Sequence, residues 1–125
     1  MKSRELVTYC ASRPAAVEDH PWGVSPTVFK VGGLDGPMFA IVSNDADPPQ
    51  ISLKCDPDLA AALRRAHPAV VPGYHLNKRL WNTVTADGSI TDAELRSRVD
   101  HSWEQVVAGL WAGYQRWSEM WRTCG

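Results

Sequence analysis

Asp100, His101 and Ser102 bring the residue types of a catalytic triad into three consecutive positions. Adjacent helical residues point about 100° apart, so the three side chains cannot converge on one substrate atom and triad chemistry is excluded. Asp19 and His20 offer an acid–base pair. Pro21 and Gly23 follow at once, and a hydrogen bond that fixes this loop is the simpler use of the pair. The most site-like polar cluster is His75, Asn77 and Lys78. With no nucleophile or paired carboxylate near it in sequence, a hydrogen-bonded structural cluster is expected and no catalytic residue is assigned.

Binding chemistry is better represented. Lys30 and Lys54 lie on the polar phases of their strands and can share a sheet face with His75 and Asn77, with Lys78, Arg79, Arg64 and Arg65 completing the basic set. Such a face suits phosphates, and Trp81, if exposed, suits base stacking. Arg64 and Arg65, in the last turn of a helix, are equally explained by the helix dipole. A second candidate surface is aromatic: Leu110, Tyr114, Trp117 and Trp121 follow at i, i+4, i+7 and i+11, with Trp111 beside them. Exposed aromatic patches of this kind mark partner or self-association surfaces.

These residues need elements to hold them. Ile51, Leu53 and Cys55 alternate with Ser52 and Lys54, which predicts a strand. Asp56 then caps a helix with Pro57 at its first position, and Pro68 stops it near His67. Its apolar stripe is Leu59, Ala62, Leu63 and Ala66. Ser3 caps an earlier helix carrying Leu6, Val7, Cys10 and Ala11, which Pro14 ends. Val17 to Gly23 reads as a loop anchored by Trp22, and Thr27–Val31 pairs with Met38–Val42 as a hairpin. After Pro72 and Gly73 come two short strands through Leu76 and Val84, then a turn at Asp87 and Gly88.

Thr91 and Glu94 sit at capping-box spacing ahead of a long helix with Leu95, Val99, Ser102, Val106 and Leu110 on one face. A straight helix to Trp121 would be about 45 Å long, so a bend near Gly109 to Gly113 that folds the tail back is expected, with homodimerisation the next outcome. The order is α-β(3)-α-β(2)-α, an α+β single domain with an antiparallel sheet covered by helices. Ile51, Leu53, Leu59, Leu63, Leu95, Val99 and Val106 should be buried together with Phe29 and Phe39.

Composition bounds the function. The 125 residues carry a formal net charge of −1, which argues against a chain dominated by nucleic-acid affinity. Charge is uneven: residues 50–81 hold five basic and two acidic side chains, while both flanks are net acidic. Cys10, Cys55 and Cys124 are odd in number and far apart, and no histidine pair has metal-ligand spacing. Reduced thiols, a cytoplasmic location and no metal or other cofactor are expected. No apolar run is long enough for a signal peptide or a membrane span, so no membrane partner is expected.

Seven segments in order carry a resemblance: DHPWG (19–23), VFKVGG (28–33), MFA (38–40), ISLKCDP (51–57), PGYHLNK (72–78), WNTV (81–84) and DGSI (87–90). Together the sequence resembles the MmcQ/YjbR family of bacterial proteins, over residues 5 to 110. The resemblance implies a frataxin-like or secretion-chaperone-like sheet domain. It also implies a non-enzymatic DNA-binding protein with a double-wing pair of hairpins. Residues 1–110 would form that domain and 111–125 an aromatic helical extension. Two departures stand out: Leu80 occupies a place where many members have histidine, and Leu34 to Pro37 lengthens the first hairpin loop. The two wing loops carry Asp35 and Asp87 and no basic residue. Any nucleic-acid contact would therefore be weak and sequence-independent. The alternative is a protein-interaction module acting through the sheet face or the tryptophan-rich helix.

Overall fold

The computed structural model describes residues 1–73 and 76–124, with side chains through residue 113. Helix α1 (Ser3–Ala11) is followed by strands β1 (Ala16–Asp19), β2 (Thr27–Val31), β3 (Met38–Ser43) and β4 (Gln50–Lys54). Helix α2 (Pro57–Ala66), strands β5 (Val70–Pro72) and β6 (Trp81–Thr85), and helix α3 (Asp92–Cys124) complete the order. The six strands form one antiparallel sheet in the order β1-β2-β3-β4-β6-β5.

The α+β class expected from the sequence is what the chain adopts, with one more strand, and with the first of the two late strands at Val70–Pro72, ahead of the turn at Gly73 rather than after it. Ala16–Asp19, expected as a loop, pairs with β2, and Glu18 sits opposite Phe29. Its two acidic residues hide the strand pattern; pairing to β2, rather than its own propensity, holds it in the sheet. Trp22 is correspondingly no anchor, being 64% exposed.

Alternation divides the sheet into two faces. On one, Phe29, Ala40 and Leu53 form a cross-strand row, with Val42, Ile51, Val84 and Val70 in the next. These side chains join Leu6 and Cys10 of α1 and Leu95, Val99 and Val106 of α3 in one buried core. Phe29 and Phe39 meet at 6.2 Å between ring centroids with a 48° tilt, the inclined contact that aromatic quadrupoles favour.

Helix α2 has the caps its sequence predicts: Asp56 accepts from the Asp58 and Leu59 amides at 3.1 Å, and the helix ends before His67. Its inward face is rotated from the expected stripe. Ala60 is buried, whereas Leu59 and Leu63 are only partly so. Arg64, expected to serve the dipole, reaches inward to the buried Asn82, Nε to Oδ1 at 2.6 Å. Burial of Leu63 is thus less complete than the stripe implied.

Helix α3 runs unbroken through Gly109 and Gly113, so the expected bend and fold-back are absent. A Cβ built at either glycine would meet nothing within 4 Å. Two glycines cost a helix about 2 kcal/mol against alanine, too little to break it without a competing contact.

Candidate functional site

The sheet face away from the helices is built by the other strand phase. Ile41 of β3, Ser52 of β4 and Thr83 of β6 are cross-strand neighbours. The Ser52 and Thr83 hydroxyls bond to each other at 2.8 Å, one donating to the other. A register shift between Phe29 and Lys30 sets Met38 opposite Lys30 at the end of this face. Trp22 and Pro26 from the β1–β2 connection, and Leu76 from the β5–β6 connection, flank the strands. Together they enclose a groove of about 510 Å³ with no charged side chain among its described lining residues.

The sequence-derived basic set does not act as one patch. Lys30 donates to Asp19 Oδ2 and to the Leu34 carbonyl, both at 2.8 Å. That hydrogen bond is the main reason the Asp19 carboxyl is held below its ordinary range. Asp19 also accepts from the His20 amide at 2.8 Å, and His20 Nε2 meets Glu18 at 2.9 Å. The pair fixes its segment, as the sequence implied. Arg64 donates to the carbonyls of Lys78 and Trp81 as well as to Asn82. Its fork holds the β5–β6 connection against α2, a positioning role that the dipole argument missed.

Asn77 is a turn residue. Its Oδ1 accepts from the Arg79 amide at 3.0 Å, and its carbonyl accepts from Leu80 and Trp81. Trp81 is only 9% exposed. Gly73 presses on it so closely that a Cβ there would lie 2.9 Å from Trp81 Cβ. The base-stacking surface considered for Trp81 is therefore not on offer. Lys54, Lys78 and Arg79 keep side chains with no partner among the described residues. His75 lies outside the described residues. So do the side chains of Tyr114, Trp117 and Trp121; Trp111, by contrast, is 58% exposed.

The failed triad separates as helical geometry requires. Asp100 accepts from Tyr9 at 2.8 Å and from Arg13 at 3.0 Å. Burial first, and the hydrogen bond to Asp100 second, push the Tyr9 hydroxyl above its ordinary pKa. His101 Nε2 accepts from the Asp56 amide at 3.2 Å, which fixes the ring as the tautomer protonated at Nδ1. Ser102, fully buried, accepts from the Lys54 amide at 2.8 Å and donates to the Phe39 carbonyl at 2.5 Å. A serine inside the stripe of Leu95, Val99 and Val106 was the one sequence signal for this clasp. The Cys10 thiol is pushed up to about 12 by burial, and Cys55 is raised for the same reason. Both are inert core thiols, as the strand and helix phases implied.

A family model described as YjbR matches residues 11–105. The chain belongs to the YjbR family. It is 38% identical over 107 residues to the uncharacterized protein YjbR of Escherichia coli K12, covering 86% of this chain and 88% of that relative. The uncharacterized protein YbdF of Escherichia coli O157:H7 is 38% identical over 90 residues, 72% of this chain and 71% of its own. Among solved structures, Deinococcus radiodurans protein DR2400, a DUF419 domain, superposes with a TM-score of 0.77 at 38% identity, over 82% of this chain and 75% of that one. A Pseudomonas syringae protein superposes with a TM-score of 0.73 at 25% identity, over 85% and 99%. The YjbR match contains the whole open sheet face, including Trp22, Ile41, Ser52 and Thr83, and stops before the aromatic tail.

Proposed function

We propose that this YjbR-family chain is a non-enzymatic binding module whose open sheet face receives an uncharged, largely apolar segment of a partner protein. The observation that carries the reading is the composition of the groove: Met38, Ile41 and Leu76 beside the hydrogen-bonded Ser52 and Thr83 hydroxyls, with Trp22 exposed at the rim. Apolar walls with a few placed polar groups suit a segment of mixed apolar and small polar side chains. Among the described lining residues there is no cysteine, histidine or carboxylate to attack, protonate or deprotonate a substrate.

A second reading is weak, sequence-independent nucleic-acid binding. It draws on Lys54, Lys78 and Arg79, whose cationic groups have no partner among the described residues. Against it stand the engagement of Lys30 and Arg64, the covered ring of Trp81 and the lack of charge among the described lining residues of the groove.

One titration separates the two. Isotope-labelled protein is followed by amide NMR while a capped, uncharged, leucine- and valine-rich peptide is added, and separately a short DNA duplex at low salt. The peptide should shift Ile41, Ser52, Thr83 and the Trp22 indole, and the duplex should shift nothing. Silence in that set, together with duplex-induced and salt-reversible shifts at Lys54, Lys78 and Arg79, would transfer the function to nucleic acid.

A further inference from the structure

Where the open face ends, at the Lys54–Trp81 pair, it meets the underside of α3. A second pocket of about 370 Å³ opens there, lined by Met38, Lys54, Trp81, Val106, Gly109 and Leu110. Its volume lies within the range of small-molecule sites. Three features define what it would hold. The walls are apolar: the Met38 and Leu110 side chains, the edge of Trp81, and the space left by the absent side chain of Gly109. Among its described lining residues a single charge enters it, Lys54, half-buried and without a partner among the described residues. That cation also has its backbone fixed, because the Lys54 amide is held by Ser102.

We infer that this pocket is a binding site for an aliphatic carboxylate, its chain along Met38, Gly109 and Leu110 and its anionic head on the Lys54 ammonium. Charge complementarity chooses the head group, since a partly desolvated ammonium with no protein anion is satisfied by a ligand carboxylate. The apolar walls choose the chain. The site shares Met38 with the larger groove but does not depend on a partner segment docking there.

Calorimetry and amide NMR with decanoate, decanol and decylamine test it on the full chain. Decanoate should bind and shift the Trp81 indole, Met38 and Gly109, with decanol about tenfold weaker and decylamine weaker still. Lys54→Met should bring decanoate down to the level of decanol, and Lys54→Arg should restore the difference. Gly109→Leu fills the space where nothing lies within 4 Å. It should abolish binding of decanoate and decanol alike without lowering the melting temperature, because leucine is the better helix former. Equal decanoate affinity in wild type and Lys54→Met would overturn the inference, as would shifts confined to Trp22, Ile41 and Thr83. A capped acidic peptide that binds more tightly than decanoate with the same dependence on Lys54 would assign the pocket to a protein partner instead. Failure of decanoate while the uncharged peptide still shifts the larger groove would sink this inference and leave the proposed function standing.

Discussion

Ser102→Ala isolates the joint between the long helix and the sheet. The last cross-strand pair of β3 and β4 at this end is Ala40 with Leu53. Beyond it, the Phe39 carbonyl and the Lys54 amide are bridged by the Ser102 hydroxyl, which is 0% exposed. Removing the hydroxyl strands one donor and one acceptor where water does not reach. Each such group costs about 1–3 kcal/mol, offset by about 0.5 kcal/mol because alanine is the better helix former. A net loss of about 1.5–5.5 kcal/mol is expected, read as a lower midpoint at unchanged slope in a urea titration. Exchange of the Lys54 amide should quicken in parallel. A loss under about 1 kcal/mol with the Lys54 amide still protected would mean that β3 and β4 close onto each other without the serine, and that the hydroxyl is not what separates them.

Arg64→Leu should cost about 1.5–3 kcal/mol in the same titration, since it leaves the buried Asn82 oxygen and the Lys78 carbonyl without their donor, while the Trp81 carbonyl keeps the Gly73 amide; a neutral result would mean that Asn82 finds another partner. In the native protein Cys10 and Cys55 should resist iodoacetamide at neutral pH and react on unfolding, because burial raises both thiol pKa values and disfavours the thiolate. Mass spectrometry showing either alkylated in the folded state would contradict their placement. Asp19 has a depressed pKa in the folded state, so its contribution is complete above the unfolded value of about 3.9 and is lost as pH falls through the folded value. Wild type should therefore lose its stability advantage over Asp19→Asn below about pH 4, whereas parallel pH profiles would show that the Lys30 pairing contributes nothing. Finally, since α3 continues unbroken past Leu110, full-length protein is expected to scatter light as a dimer and a chain ending at Leu110 as a monomer; equal masses per chain length would remove self-association through the tail.

The elements that could be read from the sequence are those whose signal is local. Asp56, Pro57 and the Pro68 stop define α2 by cap chemistry and by proline's effect on its predecessor, and the helix is Pro57–Ala66. Thr27–Val31 shows alternation, and it is β2. What failed locally was decided elsewhere. Strand β1 exists because Ala16 to Asp19 find partners on β2. The inward face of α2 includes Arg64 because Asn82, eighteen residues on, needs a donor. The continuity of α3 through two glycines reflects the absence of anything packed against them.

The groove was hidden for a related reason. The phase of Ser52 and Lys54 was readable, but the register that sets Ser52 against Thr83 and Ile41 was not, and neither was the shift that puts Met38 opposite Lys30. Charged residues draw attention in a sequence because they stand out one at a time. Here Lys30 and Arg64 are consumed by Asp19 and Asn82, and the uncharged residues between them make the surface. None of Trp22, Ile41, Ser52, Leu76 and Thr83 stands out as a binding residue in its own segment. Only cross-strand pairing turns them into one face, and only the crossing of α3 beside Lys54 turns the end of that face into a pocket whose one charge among the described lining residues has no partner among the described residues. The chemistry of the site is thus a property of register and helix placement, which is why substitutions at Gly109 and Ser102, neither of them polar contacts for a ligand, are expected to control it.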